Sequence, residues 1–164
     1  MDLVRAGIAC YGMWPSTEAY VSAVVAGRER CDLRPALTWK SRIAQIRPTP
    51  AGEYVSYGRT FRTTHPTSLA VVPVGYYDGY SRSLSNLAHV LVRGVRAPVR
   101  GRVCMNMIMI DTTHIPDASA GDEVVLLGRQ GDEQVTAEQM AGWADTINYE
   151  ITTRINERIA RIEI

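Results

Sequence analysis

The alternation of apolar and polar residues changes character twice along the 164-residue chain. Residues 1–12 are largely apolar and end in a glycine turn, which predicts a buried strand. The stretch STEAYVSAVVAG that follows predicts a short helix capped by Ser16 or Thr17. From Leu37 onward the pattern is typical of strands, and at Thr136 it changes to helical spacing.

The strand-like region consists of short segments rich in Val, Ile, Thr and Tyr, which are separated by Pro, Gly, Asn and Asp. In order they read LTWKSRIAQI, GEYVSYGRTF, SLAVVPV, HVLVRG, VCMNMIMID and DEVVLLG. Because no long helix lies between them, a closed or partly closed barrel is favoured over a parallel sheet. The predicted fold class is therefore mainly β (α+β), a β-barrel-like domain with one or two short helices.

The C-terminal part predicts a helix over residues 136–147. Thr136 with Gln139 three residues on is a capping-box pattern, and Met140 and Trp143 have the spacing of a face that packs against the barrel. The remaining segment, NYEITTRINERIARIEI, predicts a further helical turn or two and then a last strand.

Charge gives little indication of a macromolecular partner. Eighteen basic and seventeen acidic residues leave a net charge of +1, so no general field attracts nucleic acid or an anionic membrane. A cluster of four arginines has the alternation of a solvated strand face and is interpreted as such: Arg93, Arg96, Arg100 and Arg102.

The three cysteines, Cys10, Cys31 and Cys104, are odd in number and lack metal-ligand or redox spacing. This pattern predicts reduced thiols, no metal site and a cytoplasmic protein. No apolar run approaches the roughly 20 residues that a membrane span needs, and the N-terminus lacks a signal pattern.

Motifs that carry chemistry are few. The sequence has no glycine loop for phosphate, no serine nucleophile elbow and no paired histidines, and His65, His89 and His114 are isolated, which favours structural roles. The densest polar cluster is VPVGYYDGYSR, residues 73–83, which follows an apolar run. A turn after a rigid strand can present side chains to a cleft, but composition alone favours a structural turn.

Five segments together change that interpretation. In order they read VRAGIACYG, ALTWKSRIAQIRPTPAGEYVSYGRTF, VPVGYYDGYSR, APVRGRVCMNMIMID and INYE. Over nearly the whole chain they closely resemble the C-terminal portion of the alanine racemase family. The resemblance implies that residues 1–34 are a linker and the last strand of an N-terminal (β/α)₈ barrel that binds pyridoxal phosphate. Residues 35–164 would then be the family's C-terminal β-domain.

The resemblance also gives the tyrosines of residues 73–83 a role. Racemisation needs bases on both faces of the substrate α-carbon; in the family one is the cofactor lysine and the other a tyrosine that corresponds to Tyr76, placed in the partner subunit's active site. A phenol has a reference pKa of about 10, so such a base needs neighbours that stabilise its anion. Gly75 and Gly79 are expected to permit the turn and Asp78 to brace it. Tyr80 is expected to be structural.

Cofactor contacts are implied for four residues. Arg5 matches the arginine that faces the pyridine nitrogen, and a guanidinium that keeps its proton would leave that nitrogen unprotonated. Gly7 and Ile8 match positions whose backbone approaches the cofactor phosphate. Tyr149 matches a tyrosine that binds the phosphate and narrows the substrate entrance, which Ile147 also lines.

Substrate contacts are implied for Arg102 and Met105, the latter through its backbone N–H on the substrate carboxylate. Asn106 departs from the aspartate that relatives usually have there, which removes a charge near the entrance.

The cofactor lysine is missing from the chain. In the family it lies in a segment like VVKANAYG, whereas the only lysine of this chain is Lys40, in TWKSR. The chain is therefore expected to be part of a larger racemase and inactive alone.

The resemblance implies a cytoplasmic homodimer with shared active sites that supplies D-alanine for peptidoglycan. The alternatives are a racemase of serine or broad specificity and a non-catalytic β-barrel assembly module. Decarboxylases that act on basic amino acids share the plan of the fold but differ in local motifs.

Overall fold

The structure, a computed structural model, describes residues 3–28 and 32–163. It divides into two compact units, Met1–Thr38 and Trp39–Ile164, and each is described by itself. Two of the three cysteines are described, and both are free thiols: Cys10 is exposed and Cys104 is buried. Cys31 lies outside the described residues.

The first unit contains a 3₁₀ turn, Gly7–Tyr11, and one helix, α1 (Thr17–Val25). The predicted helix is confirmed, and its cap is Ser16, whose hydroxyl oxygen accepts the N–H of Ala19 at 3.2 Å. The predicted strand is wrong, since residues 3–6 have no regular structure. The physical reason is that no strand of the described residues pairs with this segment, so it has no neighbour to complete a ladder.

The second unit is built from antiparallel strands and two short helices, which confirms the predicted fold class. Its strands are β1 (Trp39–Arg42), β2 (Gln45–Thr49), β3 (Tyr54–Val55), β4 (Phe61–Arg62), β5 (Thr67–Val72), β6 (His89–Val92), β7 (Val95–Pro98), β8 (Ile108–Asp111), β9 (Glu123–Gln130) and β10 (Glu133–Val135). They form a five-stranded sheet of order β1-β9-β6-β7 with β10 beside β9, a three-stranded sheet of order β2-β5-β8, and the pair β3-β4.

Two corners join the larger sheets, which stay unclosed rather than forming the predicted barrel. At the first, the Ile43 N–H donates to Asp122 O at 2.9 Å, whereas the Ala44 N–H donates to Val71 O at 2.8 Å. Adjacent residues thus bond to different sheets, Ile43 to the residue before β9 and Ala44 to β5. At the second corner, a single bridge joins Val99, after β7, to Ile110 of β8. The enclosed core includes side chains with no exposed surface, among them Val72, Val90, Leu91, Ile108, Ile110 and Leu126.

Two helices follow β10: α2 (Ala137–Ala144) and α3 (Asn148–Thr153). The predicted capping box is present, with Thr136 Oγ1 accepting the Gln139 N–H at 3.1 Å and Gln139 Oε1 accepting the Thr136 N–H at 3.0 Å. Helix α2 ends before the predicted residue 147 because Asp145 takes a left-handed conformation, with φ of 54°.

The predicted last strand is wrong. Residues 154–163 contain no strand, and their backbone groups bond to side chains and to a turn. Arg161, for example, donates to the carbonyl oxygens of Ile155 at 3.2 Å and Asn156 at 2.9 Å. Among the described residues, none of the helices has the length and apolar composition that crossing a membrane requires.

Three of the four arginines in the predicted solvated cluster are paired with carboxylates. Arg93 bonds Asp122 at 2.8 Å, and Arg96 bonds Glu133 at 2.7 Å. Arg100 bonds the buried Asp111 at 3.3 Å and lies over the Phe61 ring. These pairs balance the local charge, so the cluster is not a surplus of positive charge.

Candidate functional site

The tyrosine turn, residues 75–80, follows β5 and is closed by its own polar groups. Asp78 Oδ2 accepts the Gly75 N–H at 2.9 Å, while the Asp78 and Tyr80 N–H groups both donate to Gly75 O at 3.0 Å. Tyr76 is the first residue of the 3₁₀ segment Tyr76–Asp78 inside this turn. The expected brace by Asp78 is therefore present.

Two glycines let other chain segments approach the turn. A Cβ atom on Gly75 would overlap the carbonyl oxygens of Cys104 and Met105. A Cβ atom on Gly79, whose φ is 103°, would overlap the carbonyl oxygen of Arg154. Both glycines are required by close packing, and Gly79 also by its backbone conformation.

The phenols of the turn differ in environment. Tyr80 is 1% exposed and packs edge-on against Trp39, with 6.0 Å between ring centroids. Burial raises the pKa of Tyr80, which suits the structural role predicted for it. Tyr76 is 43% exposed and Tyr77 is also exposed. Tyr76 is therefore open to a ligand, whereas Tyr80 is not.

The turn is joined through its backbone to the segment that carries Met105. The Tyr76 N–H donates to Cys104 O at 3.0 Å, and the Tyr77 N–H donates to Met105 O at 2.9 Å. Cys104 N–H in turn donates to Met107 O at 3.0 Å, so Met105 and Asn106 form the exposed tip of a tight loop. Within the described residues the Met105 N–H donates no hydrogen bond. The structure thus joins the turn that contains Tyr76 to the loop whose Met105 N–H is available.

Arg102 lies on the same loop, two residues before Cys104. Its side chain is exposed and makes no ion pair in the part of the chain that the structure describes. Its carbonyl oxygen accepts the Ser56 hydroxyl at 2.7 Å, which anchors the backbone. The exposed Arg102 guanidinium is free to meet a carboxylate of another molecule.

Tyr149 and Ile147 lie at the start of α3. Ile147 is exposed and Tyr149 is half-buried. The Tyr149 hydroxyl makes no hydrogen bond to the described residues, while its carbonyl oxygen accepts the Thr153 hydroxyl at 2.9 Å. After α3 the chain returns to the tyrosine turn, where the Asn156 N–H donates to Asp78 O at 3.0 Å.

The other candidate cofactor residues belong to the first unit. Arg5 and Gly7 are exposed, and Ile8 is buried. Gly7 has φ of 58°, a conformation that favours glycine.

Sequence reasoning missed the residues after α3 that hold the tyrosine turn. Asn156 Nδ2 donates to Tyr77 O at 2.9 Å, and the Arg158 guanidinium donates to the Tyr77 hydroxyl at 3.3 Å. A strand was predicted there, and no local pattern indicates contacts to a turn 79 residues earlier. The polar run NER, residues 156–158, was the only signal that the sequence offered there.

Comparison with known proteins identifies the family. The family described as Alanine racemase, C-terminal domain, matches residues 36–163. The chain belongs to the alanine racemase family. The alanine racemase of Leptospira interrogans serogroup Icterohaemorrhagiae serovar copenhageni is 48% identical over 163 residues, which are 99% of this chain and 42% of that protein. The alanine racemase of Halothermothrix orenii is 50% identical over 161 residues, 98% of this chain and 40% of that protein.

Solved racemase structures share the fold. The alanine racemase of Streptomyces coelicolor A3(2) has a TM-score of 0.87 and 40% identity, over 98% of this chain and 40% of that chain. That of Bartonella henselae, described with covalently bound pyridoxal phosphate, has a TM-score of 0.82 and 31% identity, over 96% of this chain and 40% of that chain. The chain thus spans about two fifths of the length of these relatives.

Proposed function

We propose that the chain contributes the C-terminal domain of a pyridoxal-phosphate-dependent racemase that interconverts L-alanine and D-alanine. In this proposal residues 1–34 belong to the cofactor-binding barrel and its linker, and residues 35–164 are the β-domain. The observation that supports this proposal best is a pair of backbone hydrogen bonds, from the Tyr76 N–H to Cys104 O and from the Tyr77 N–H to Met105 O. They join the turn that carries the exposed Tyr76 phenol to the loop that carries the unbonded Met105 N–H.

The tasks proposed for Tyr76, Met105 and Arg102 are proton transfer and binding of the substrate carboxylate. The Tyr76 phenol removes or delivers the proton on one face of the substrate α-carbon. The Met105 N–H and the Arg102 guanidinium bind the substrate carboxylate, which is an acceptor of hydrogen bonds. Because Tyr76 serves one face only, a second base outside this chain serves the other face.

Taken separately, each unit offers groups that would contact pyridoxal phosphate without a covalent bond. The Tyr149 hydroxyl is available as a donor to phosphate oxygens, and the exposed Gly7 offers its backbone. The backbone of Ile8 and the Arg5 guanidinium complete the proposed set, with Arg5 at the pyridine nitrogen. When bound, the cofactor supplies an electron sink that stabilises negative charge at the α-carbon.

The covalent anchor does not fit this chain. Lys40 lies on β1, and its Nζ atom is 3.0 Å from Glu123 Oε2. A lysine held in an ion pair on a sheet strand is not placed as a cofactor anchor, and the chain has no other lysine. We therefore propose that the anchoring lysine lies in the cofactor-binding barrel and that the present chain is inactive alone.

The partner in this proposal is a second copy of the complete racemase, since Tyr76 would act in the neighbouring subunit's active site. The homodimer would act in the cytoplasm and supply D-alanine for peptidoglycan. The half-buried phenol of Tyr149 would narrow the entrance, which favours alanine over a larger substrate such as serine.

The test uses the complete racemase that includes this chain, with pyridoxal phosphate bound. L-alanine and L-serine are supplied separately, and the appearance of each D-enantiomer is followed by chiral chromatography. We expect racemisation of alanine with a kcat/KM at least tenfold above that of serine, in line with the ~1–3 kcal/mol that small differences in substrate size contribute to selectivity. Equal or higher kcat/KM for serine contradicts the substrate assignment, and no racemisation of either contradicts the function.

A further inference from the structure

Every backbone N–H and carbonyl group of the 3₁₀ segment Tyr76–Asp78 is hydrogen-bonded. The partners lie in the Met105 loop, in the turn itself and at Asn156. The N–H groups of the segment donate to Cys104 O, Met105 O and Gly75 O at 2.9–3.0 Å. Of its carbonyl oxygens, that of Tyr76 accepts the Gly79 N–H at 3.3 Å.

The other two carbonyl oxygens are both bonded by one residue, Asn156. Its side-chain Nδ2 donates to Tyr77 O at 2.9 Å, and its backbone N–H donates to Asp78 O at 3.0 Å. The tyrosine turn is therefore held on its N–H side by the Met105 loop and on its carbonyl side by Asn156.

Asn156 is itself fixed by the residues around it. Its Oδ1 accepts the Arg158 N–H at 3.0 Å, and its carbonyl oxygen accepts the Arg161 guanidinium at 2.9 Å. The Oδ1 atom of the side-chain amide thus bonds within its own segment, while the Nδ2 atom bonds to the tyrosine turn. Such an arrangement orients the amide, so that the donor position is set before any ligand arrives.

We propose that Asn156 is a positioning residue for Tyr76. It touches neither substrate nor cofactor in this account; it acts by fixing the backbone on which the phenol stands. The inference rests on the proposed function, because it concerns the geometry of the proposed base. A proton-transfer group loses efficiency steeply when it is displaced from its reacting partner.

The test compares three variants of the complete racemase. Asn156→Ala removes both side-chain bonds. Asn156→Asp is nearly isosteric and keeps the Oδ1 acceptor for the Arg158 N–H, but it loses the Nδ2 donor to Tyr77 O. Glu157→Ala is the matched control, because Glu157 is exposed on the same segment and makes no hydrogen bond or ion pair among the described residues.

The readout is exchange of the α-proton of each alanine enantiomer with solvent deuterium. If Asn156 positions Tyr76, both Asn156→Ala and Asn156→Asp slow α-proton exchange on the face that Tyr76 serves. The expected slowing is on the order of tenfold, which is smaller than the roughly 10²-fold or greater effect of removing a general base. Exchange on the opposite face, cofactor absorbance and the Glu157→Ala control stay at the wild-type level. A purely stabilising role would lower the unfolding midpoint without this asymmetry.

Two further results overturn the proposal. One is that Asn156→Asp slows exchange equally for both alanine enantiomers or does not slow it at all. This result overturns the proposal even if Asn156→Ala does not fold. The other is an additional loss when Asn156→Asp is combined with Tyr76→Phe, because a residue that acts only through Tyr76 has no effect once the phenol is gone. Full activity of Tyr76→Phe alone would instead contradict the proposed function, so the two failures are distinguishable.

Discussion

Gly75 is a position where the packing tolerates no side chain. Its missing side chain lets the carbonyl oxygens of Cys104 and Met105 approach the backbone that leads into Tyr76. The same approach creates the hydrogen bonds that join the tyrosine turn to the Met105 loop. A single methyl group at this position would therefore separate the two parts of the candidate site.

Gly75→Ala is expected to destabilise the chain by about 1–3 kcal/mol, the usual cost of forcing extra volume into a packed site. Gly142→Ala is the matched control: Gly142 lies in α2, and a Cβ atom there meets nothing within 4 Å. The control should raise stability by about 0.4–1 kcal/mol, because alanine loses less conformational entropy on folding. Urea unfolding of both variants measures the two changes, and equal stability of Gly75→Ala and wild type contradicts the packing argument.

Helix α2 packs against the five-stranded sheet partly through an aromatic contact. The Trp143 ring meets His89 of β6 edge-on, with 4.8 Å between centroids. His89 Nε2 is buried and has no hydrogen-bond partner in the described structure. Burial is the main cause that lowers the pKa of His89 from its ordinary 6.5, and repulsion by Arg96 adds to it, against a smaller opposing effect of Glu133.

Because the pKa of His89 is lowered in the folded protein, we predict that the free energy of unfolding depends on pH. Because the folded-state pKa lies below 6.5, the unfolded state binds more protons between the two values, and stability falls as the pH decreases from about 6.5 through that window. His89→Gln should flatten this part of the urea-midpoint profile, whereas His114→Gln, at an exposed position, should leave it unchanged. A wild-type profile that is flat between pH 7 and 5, or that rises on acidification, contradicts the assignment.

Local pattern was sufficient for elements that carry their own signals. The Thr136 and Gln139 capping box, the Ser16 cap and the strands around Leu69 and Val125 all lie where period and cap residues place them. These features depend either on neighbours a few residues away or on a single buried face. Both kinds of dependence can be recognised from the sequence.

Pattern failed where the partner is remote. The apolar residues before Gly7 predict a strand, but a strand also needs a neighbour, and the described chain offers none. Likewise, the segment around Asn156 alternates like a strand, yet its hydrogen bonds go to the tyrosine turn. The roles proposed for Tyr76 and Met105 rest on the family resemblance, because neither an exposed phenol nor an unbonded N–H can be recognised from composition.

The position of the only lysine of the chain bears on where the proposed racemase anchors its cofactor. Lys40 and Glu123 lie on neighbouring strands β1 and β9 and form an ion pair that is partly exposed. The anchor for the cofactor must then come from the cofactor-binding barrel in the proposed racemase.

The 164-residue chain mixed with pyridoxal phosphate is accordingly expected to form at most a weak, nonspecific covalent adduct, at Lys40 or at the N-terminus. Lys40→Arg keeps a cation for Glu123 and should remove only the Lys40 part of that adduct. Visible absorbance and mass spectrometry after reduction give the stoichiometry. One cofactor bound per chain with micromolar affinity would show that the cofactor site is complete without the barrel.

The most direct measurement is α-proton exchange in the complete racemase carrying Tyr76→Phe, which removes the phenol and keeps the ring. We expect folding and cofactor binding to persist, racemisation to fall on the order of 10²-fold or more, and exchange with solvent deuterium to survive for one alanine enantiomer only. Tyr54→Phe, at a tyrosine of similar exposure, 50% against 43% for Tyr76, should behave as wild type. Equal loss of exchange for both enantiomers, or no loss, would contradict the role of Tyr76 as the base on one face.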